Sequence, residues 1–323
     1  MKKCFFLAIA FLTFECSQKN SDPNPSQNRE VYVAGYTLNA AGTQVAKFWR
    51  NGVATNLTDG TASAGATGIA LSGPSVIVSG WDWSHHSDST KVGKFWVNGS
   101  ELEIGGVCYS TVAVAANKTD VCVLGLGQSG WTYWRNGSPT FITTTVDSQT
   151  TGVAVNEGDV FVSGFSKTVV RAQYWRNGVL IYTNSQPSVA NAIAVSGTDV
   201  YLAGYLSEGD ASHTKAVIWK NGIITELTSG QVDAQANSIF VSGSDVHVGG
   251  HEGNVAMTWK NGSPTNLSDG SGSAEVKSIV VKEGDVYAAG YEGSSPRLWK
   301  NGVLQKLSDS NLNGAAVSVA VPQ

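Results

Sequence analysis

The sequence predicts an all-β fold of seven repeated units, and a recurring motif is the first reason. A tryptophan followed by any residue and then Asn-Gly occurs about every 40 residues. The motif tryptophans are Trp49, Trp96, Trp134, Trp175, Trp219, Trp259 and Trp299. A repeat of this period is typical of a propeller or a solenoid, in which each unit buries apolar surface against its neighbours.

Each repeat also contains four short apolar segments, which are rich in Val, Ile, Tyr and Ala. One copy shows all four, at residues 200–205, 216–222, 225–227 and 239–243. Such segments predict strands of about five residues, here named b, c, d and a in chain order. Every b strand keeps a glycine at the same place, from Gly35 in the first copy to Gly290 in the last. Seven copies of four strands predict 28 strands.

The order of the strands predicts that the repeats close into a ring. The repeats begin on a b strand at Val31 and end on an a strand, residues 317–321. A linear stack would leave that last strand as an exposed edge, whereas a ring lets it pair with the first b strand. The predicted fold is therefore a closed seven-bladed β-propeller of four-stranded antiparallel blades, over residues 31–323.

The repeated motif has a structural interpretation. Asn-Gly between two apolar segments predicts a two-residue type I′ turn, because both positions need positive φ. The motif tryptophan lies next to this turn in a sheet that packs on both faces, so we expect it to be wedged between blades. The alternative is a platform on which a sugar stacks.

Two of the four cysteines, Cys108 and Cys122, belong to the repeats. With residues 117–120 as a hairpin turn, Cys122 lies opposite Ala115, and Cys108 is then too far away for a disulfide. We expect both to be small buried apolar side chains.

The N-terminus differs from the repeats. Lys2 and Lys3 precede an apolar run over residues 5–14, which is too short to span a bilayer and typical of a secretory signal. We therefore expect a signal peptide at residues 1–16, a flexible tether at residues 17–30, and export. Cys16 at the end of the signal resembles a bacterial lipoprotein signal, which implies a lipid-anchored protein at the outer membrane or cell surface. Glu15 departs from that pattern, so cleavage with loss of Cys16, giving a secreted protein, is the alternative.

Composition narrows the class of partner. Only 14% of residues are charged, the net charge is −4, and the repeats contain no run of Lys or Arg. Nucleic acid and an anionic membrane surface are therefore not expected partners. A monomer that contacts a membrane only through a lipid on Cys16 is expected.

The connections between strands b and c vary in length, and all lie on one rim of the predicted propeller. They range from residues 127–130 to residues 82–92, with other long ones at residues 37–45 and 206–215. The two tight turns of each blade lie on the opposite rim. Variable loops on a rigid scaffold usually carry binding, so we place the candidate site on this loop rim.

Two groups of residues on the loop rim are candidate ligand contacts. The position after the b-strand glycine is usually a ring, and its members are Tyr36, Trp81, Phe165, Tyr205, His251 and Tyr291, with Leu126 as the exception. These rings either form an aromatic collar that stacks on a sugar or peptide, or pack beneath the loops. In the longest loop, Trp83 stands beside His85 and His86, an aromatic and polar combination found at recognition surfaces.

Sequence signals for catalysis are weak. His247 and His251 share a strand face but lie roughly 13 Å apart, too far to bind one metal. No zinc spacing, calcium loop, phosphate loop or Gly-x-Ser-x-Gly elbow occurs, so no metal or cofactor is predicted. An active site assembled from several blades would leave no such signal.

The stretch from Ala46 to Leu57, followed by residues 64–73, resembles the bacterial extracellular repeat called HAF. The segment from Asp285 to Gly290 is similar to the b strands of bacterial seven-bladed propellers. The resemblance covers about residues 31–321 and implies the fold and export. It implies no catalytic residue, because these repeats define blades rather than activities.

The sequence thus predicts an exported, non-catalytic binding module for protein or glycan. A lectin-like propeller and a propeller hydrolase or lyase with a site on the same rim are the alternatives. Exposed rings repeated from blade to blade would favour a lectin, and convergent histidine and carboxylate groups in one pocket would favour an enzyme.

Overall fold

The computed structural model describes residues 29–83, 91–102, 108–142, 147–207 and 213–322. These residues form seven antiparallel four-stranded sheets, the blades, arranged around a central channel. In each blade the predicted a strand is innermost, and the b, c and d strands follow outward. The prediction of seven blades and 28 strands is confirmed.

Four strands make up each of the first four blades, in order from the channel outward. Blade 1 contains β28 (Gly314–Ala320), β1 (Tyr32–Leu38), β2 (Gln44–Arg50) and β3 (Val53–Asn56). Blade 2 contains β4 (Ala64–Ser72), β5 (Ser75–Asp82), β6 (Val92–Val97) and β7 (Ser100–Glu101). Blade 3 contains β8 (Cys108–Ala116), β9 (Val121–Gly127), β10 (Gly130–Arg135) and β11 (Ser138–Phe141). Blade 4 contains β12 (Ser148–Asn156), β13 (Asp159–Ser166), β14 (Arg171–Arg176) and β15 (Val179–Thr183).

The last three blades follow the same pattern. Blade 5 contains β16 (Ser188–Ser196), β17 (Asp199–Ser207), β18 (Thr214–Lys220) and β19 (Ile223–Glu226). Blade 6 contains β20 (Ala234–Ser242), β21 (Asp245–Glu252), β22 (Val255–Lys260) and β23 (Ser263–Asn266). Blade 7 contains β24 (Ala274–Lys282), β25 (Asp285–Glu292), β26 (Ser295–Lys300) and β27 (Val303–Gln305).

Ring closure occurs as predicted. The last strand, β28, pairs antiparallel with β1, with Val319 opposite Val33 and Ala316 opposite Gly35. Blade 1 therefore takes its innermost strand from the end of the chain and its other three strands from the beginning. The innermost strands are longer than the predicted five residues, because the a–b hairpins stay paired beyond the b-strand glycine.

The b-strand glycines are explained by a β-bulge in the innermost strand of every blade. The bulged residues are Thr67, Val112, Thr151, Asn191, Asn237, Lys277 and Val317. Beside the bulge, a main-chain carbonyl oxygen of the innermost strand lies where a side chain on the glycine would be. A Cβ on Gly204 would lie 1.9 Å from the carbonyl oxygen of Val189, and the other six glycines meet the same obstacle. Only glycine leaves room for the bulged strand.

The Asn-Gly motifs form the predicted turns. Asn51 and Gly52 both have positive φ, as does each equivalent pair. In every copy the asparagine Oδ1 also accepts a hydrogen bond from the main-chain N–H of a residue at or next to the start of its b strand, such as Val200 N–H to Asn221 at 2.9 Å. The motif therefore both makes the turn and attaches it to the neighbouring strand.

The seven motif tryptophans are buried, with at most 3% of each side chain exposed. Trp49 packs with Tyr287 and Leu298 of blade 7, whereas its neighbour Phe48 points to the other face and packs with blade 2. Opposite faces of one strand thus contact different neighbours, which is why the blades show no polar face.

The two cysteines of the repeats are placed as predicted. Cys122 lies opposite Ala115, and both Cys108 and Cys122 are buried free thiols.

The first described residue contacts the last blade. Arg29, in the predicted tether, donates a hydrogen bond to the carbonyl of Lys282 in blade 7 at 3.0 Å. Within the described ranges, we find no helix of the length and apolarity that a membrane crossing requires. The predicted signal peptide, with Cys16, lies outside the described residues.

Candidate functional site

The loop rim carries the b–c and d–a connections, and the b–c connections differ between blades. Blades 3, 6 and 7 have two-residue turns, at residues 128–129, 253–254 and 293–294. The connection of blade 1 is residues 39–43, shorter than the predicted 37–45 because Leu38 and Gln44 still pair. The connection of blade 5 is likewise shorter than predicted, because Ser207 pairs with Thr214.

The predicted collar consists of equivalent positions on the b strands, and all of its members are half-buried. They are Tyr36, Trp81, Leu126, Phe165, Tyr205, His251 and Tyr291. Each lies directly opposite a residue of the innermost strand, so the two side chains share a face of the sheet. The Trp81 ring lies over Gly65, for example. The collar therefore packs partly on the innermost strands and is partly open to solvent.

Two candidate tryptophans lie where blade 2 leads into its long loop, Trp81 near the end of β5 and Trp83 directly after it. Trp81 is half-buried, and the ammonium group of Lys91 lies 4.0 Å from its ring centroid. Trp83 has 44% of its side chain exposed. His85 and His86, the other candidates in this loop, lie outside the described residues.

Glu275 joins two collar residues from different blades. Glu275 is buried, with 7% of the residue exposed, and lies opposite Tyr291 on the same sheet. The Tyr291 hydroxyl donates to Glu275 Oε2 at 2.9 Å, and Lys277 Nζ lies 2.7 Å from the same oxygen. From blade 6, Asn237 Nδ2 donates to Oε1 at 2.5 Å, and His251 Nδ1 lies 3.4 Å from that oxygen. We call these five residues the Glu275 cluster.

The cluster keeps the carboxyl group of Glu275 ionised. Burial by itself would raise the pKa of Glu275, but the contact with His251, the charge of Lys277 and the hydrogen bond from Tyr291 outweigh burial and lower the pKa to about 2. Burial and the hydrogen bond to Glu275 raise the pKa of Tyr291. The result is an ionised carboxylate that receives donors on both oxygens and a phenol held in its neutral form.

Sequence reasoning identified His251 and Tyr291 but missed Glu275, Lys277 and Asn237. A weak signal was present, because Glu275 and Lys277 place two charges in an innermost strand whose counterparts in the other blades are small, apolar or uncharged. The contact itself depends on the packing of blade 6 against blade 7.

A cavity of about 580 Å³ opens on the loop rim where blade 7 meets blade 1. We call it the seam cavity. Its walls include Tyr36, Leu38, Gln44, Lys277, Tyr291, Ser294, Asn313 and Ala315. A second space, the central channel of about 500 Å³, is lined by the innermost strands of all seven blades.

Metal ligands do not converge in the part of the chain that the structure describes. No group of three or more His, Cys, Asp or Glu side chains that could hold a metal ion occurs in these ranges. His247 and His251 lie on β21, and His247 is opposite Lys260 whereas His251 is opposite Ala256.

Comparison with solved structures agrees with the strand topology. The β-propeller domain of the Trilobed protease from Pyrococcus furiosus aligns with a TM-score of 0.54 at 14% identity, over 88% of this chain and 94% of that one. The chain is a seven-bladed β-propeller. The Pyrococcus furiosus structure is described as revealing an open velcro topology, whereas in this chain β28 pairs with β1.

An acylaminoacyl peptidase from Pyrococcus horikoshii aligns with a TM-score of 0.50 at 12% identity. The alignment covers 75% of this chain but only 45% of the peptidase chain. At such identities both likenesses concern the fold alone. The sequence matches no protein-family profile and no curated protein, so membership of the HAF family is not shown.

Proposed function

We propose that this chain is an exported, non-catalytic binding module that recognises a protein or a glycan through its loop rim. The collar is the observation that carries the proposal. Six of its seven equivalent positions hold ring side chains, and all of them are half-buried on the rim where the connections vary. Rings that are partly open beside polar groups are the residues that binding surfaces use most.

The Glu275 cluster bears on the alternative of a hydrolase or lyase, because it brings a histidine and a carboxylate together. A general acid or base works best with a pKa near the working pH. The pKa of Glu275 is lowered to about 2, and its oxygens already receive a phenol, an ammonium and an amide. Such a carboxylate orients its neighbours rather than exchanging protons, which supports a binding role for this part of the rim.

Export and anchoring complete the proposal. The N-terminal signal would bring the propeller to the cell surface or the periplasm, held by a lipid on Cys16 or released after cleavage. The net charge of −4 favours partners other than nucleic acid. The closed ring supports a monomeric module, since all seven blades have both neighbours within one chain.

The test is an array of glycans and extracellular matrix proteins probed with the purified chain. The Trp81→Ala/Trp83→Ala double variant removes two rim rings, and Ile223→Ser is the matched control. Ile223 is 74% exposed on β19, the outermost strand of blade 5, away from the collar. Saturable binding that weakens in the double variant and not in the control supports the proposal.

One result would restrict the contact surface and another would contradict the proposal. Binding that is equally strong in the double variant would exclude Trp81 and Trp83 from the contact surface and leave the rest of the loop rim. Absence of binding, together with turnover of glycoside or ester substrates by the same preparation, would favour the enzyme alternative.

A further inference from the structure

We propose that the seam cavity binds one sugar unit of a glycan, with the rings of Tyr36 and Tyr291 and the side chains of Lys277, Gln44 and Asn313 as its contacts. The inference rests on the proposed binding function and assigns the ligand class and the position of its main site.

Two short elements border the cavity. Ala315 lies opposite Tyr36, whereas Gln149 and Gln235 occupy the equivalent positions of blades 4 and 6. The b–c connection of blade 7 is only the two-residue turn at residues 293–294, so no long loop from that blade covers the space.

Ring closure brings the walls together from both ends of the chain. Tyr36 and Gln44 come from blade 1, Lys277 and Tyr291 from blade 7, and Asn313 from the segment that leads into β28. Main-chain hydrogen bonds hold this segment on both sides. Leu38 N–H donates to the carbonyl of Asn313 at 2.6 Å, and Gly314 N–H donates to the carbonyl of Ser294 at 2.7 Å.

The chemistry of the walls suits a hydroxyl-rich ring. Two phenol rings offer apolar faces and hydroxyl groups, and the side chains of Gln44, Asn313 and Ser294 offer further donors and acceptors. A volume of about 580 Å³ lies within the range of small-ligand sites. Aromatic faces combined with a few polar groups match a sugar, which has apolar ring faces and hydroxyl edges.

Charge distinguishes a neutral sugar from an anion. The Lys277 ammonium is 2.7 Å from Glu275 Oε2 and 5.7 Å from the Tyr291 ring centroid. Its charge is thus matched by a buried carboxylate, and a phosphate or carboxylate ligand would have to compete with Glu275 for it. The same contacts hold Tyr291 and Lys277 in place before a ligand arrives, which reduces the entropy lost on binding.

Size argues against a folded protein as the principal ligand of this cavity. A stable protein interface buries about 800 Å² on each partner, far more than the walls of a cavity that accepts one small group. A protein could still bind elsewhere on the rim, and the experiment distinguishes that case.

The experiment uses the purified full chain on an array of neutral, amino and acidic oligosaccharides, followed by titration with the oligosaccharide that binds best. Tyr36→Ala removes one wall. Ala315→Gln fills the cavity with the side chain that blades 4 and 6 carry at this position, without removing any contact. Tyr109→Ala is the matched control, because Tyr109 is a half-exposed tyrosine on β8 that belongs neither to the collar nor to the cavity.

The expected result is a neutral oligosaccharide whose Kd rises about tenfold or more in Tyr36→Ala and in Ala315→Gln and does not change in Tyr109→Ala. Thermal melting of each variant shows whether the fold is kept. If Ala315→Gln does not fold, the affinity of Tyr36→Ala is the test of the inference. Unchanged affinity in a folded variant overturns the inference.

Failure of the inference and failure of the proposed function give different results. Matrix-protein binding without any glycan binding overturns the sugar site and leaves the binding module intact. Glycan binding that is weakened in the Trp81/Trp83 variant but not by substitution of Tyr36 or Ala315 also overturns the sugar site and leaves the binding module intact. Absence of binding to both glycans and matrix proteins overturns both proposals.

Discussion

The indole nitrogen of Trp49 in blade 1 donates a hydrogen bond, at 2.8 Å, to the main-chain carbonyl of Ser308, in the connection that follows the last strand of blade 7. The N–H of Ser308 donates a hydrogen bond to the carbonyl of Gly52, and its hydroxyl accepts a hydrogen bond from the N–H of Ala54. The first and last blades are therefore joined by these contacts as well as by the pairing of β28 with β1.

Removal of the closing strand should destabilise the whole ring. Deletion of residues 313–323 takes away β28, and with it the pairing partner of β1 and one wall of the cores on either side. We expect a large fall in Tm, measured by circular dichroism. Deletion of residues 322–323 alone, which follow β28, is the control and should leave Tm nearly unchanged. An unaltered Tm in the longer deletion would contradict closure of the ring.

Substitution of a motif tryptophan should reduce stability rather than binding alone. Trp219 is fully buried against Phe161 and Ala172 of blade 4. Trp219→Ala should lower the free energy of unfolding by about 3–5 kcal/mol, as large-to-small core changes do. Urea unfolding measures the loss, and Trp83→Ala, on an exposed side chain, should change it little. Full stability with lost binding would instead make Trp219 a ligand contact.

The glycines beside the bulges should tolerate no side chain. In Gly204→Ala the new Cβ would lie 1.9 Å from the carbonyl oxygen of Val189, and the main chain of a paired strand cannot move aside easily. We expect a loss of about 3 kcal/mol or more. Gly272→Ala is the matched control, because nothing lies within 4 Å of its Cβ position. Similar stabilities of the two variants would show that the bulge relaxes.

Acid should weaken the contact between blades 6 and 7. The pKa of Glu275 is lowered to about 2 in the folded protein from its ordinary value of 4.5, so its contribution is complete above pH 4.5 and is lost as the pH falls towards 2. That contribution is about 3 kcal/mol. In urea unfolding at several pH values, the stability difference between the wild type and Glu275→Gln should be largest near pH 7 and shrink below pH 4. Parallel profiles would contradict this assignment.

The thiols of Cys108 and Cys122 should be unreactive until the protein unfolds. Burial raises the pKa of Cys108 to about 11 and that of Cys122 to about 12, so almost no thiolate exists at neutral pH. We expect a disulfide reagent such as DTNB to label neither thiol in the native protein and both in urea. Rapid labelling of the native protein would show that blade 3 opens locally.

Much of the fold could be predicted from local sequence patterns. The Asn-Gly turns, the repeated tryptophans and the position of Cys122 opposite Ala115 each depend on residues close together in the chain. The b-strand glycines were visible as a pattern, but their cause was not. An isolated glycine in a strand can signal a bulge, and in this chain every copy signals one.

The sequence alone thus determined the number of blades, the strand order and the closure of the ring, because the same pattern of strands and turns recurs in all seven units. Only the tertiary structure decided which rim residues meet. His251 reaches Glu275 from another blade, and Tyr36 and Tyr291 line one cavity at the seam although the two lie near opposite ends of the chain. Such contacts depend on how blades pack and on which side chains are small at one seam, and neither is encoded at a fixed spacing along the sequence.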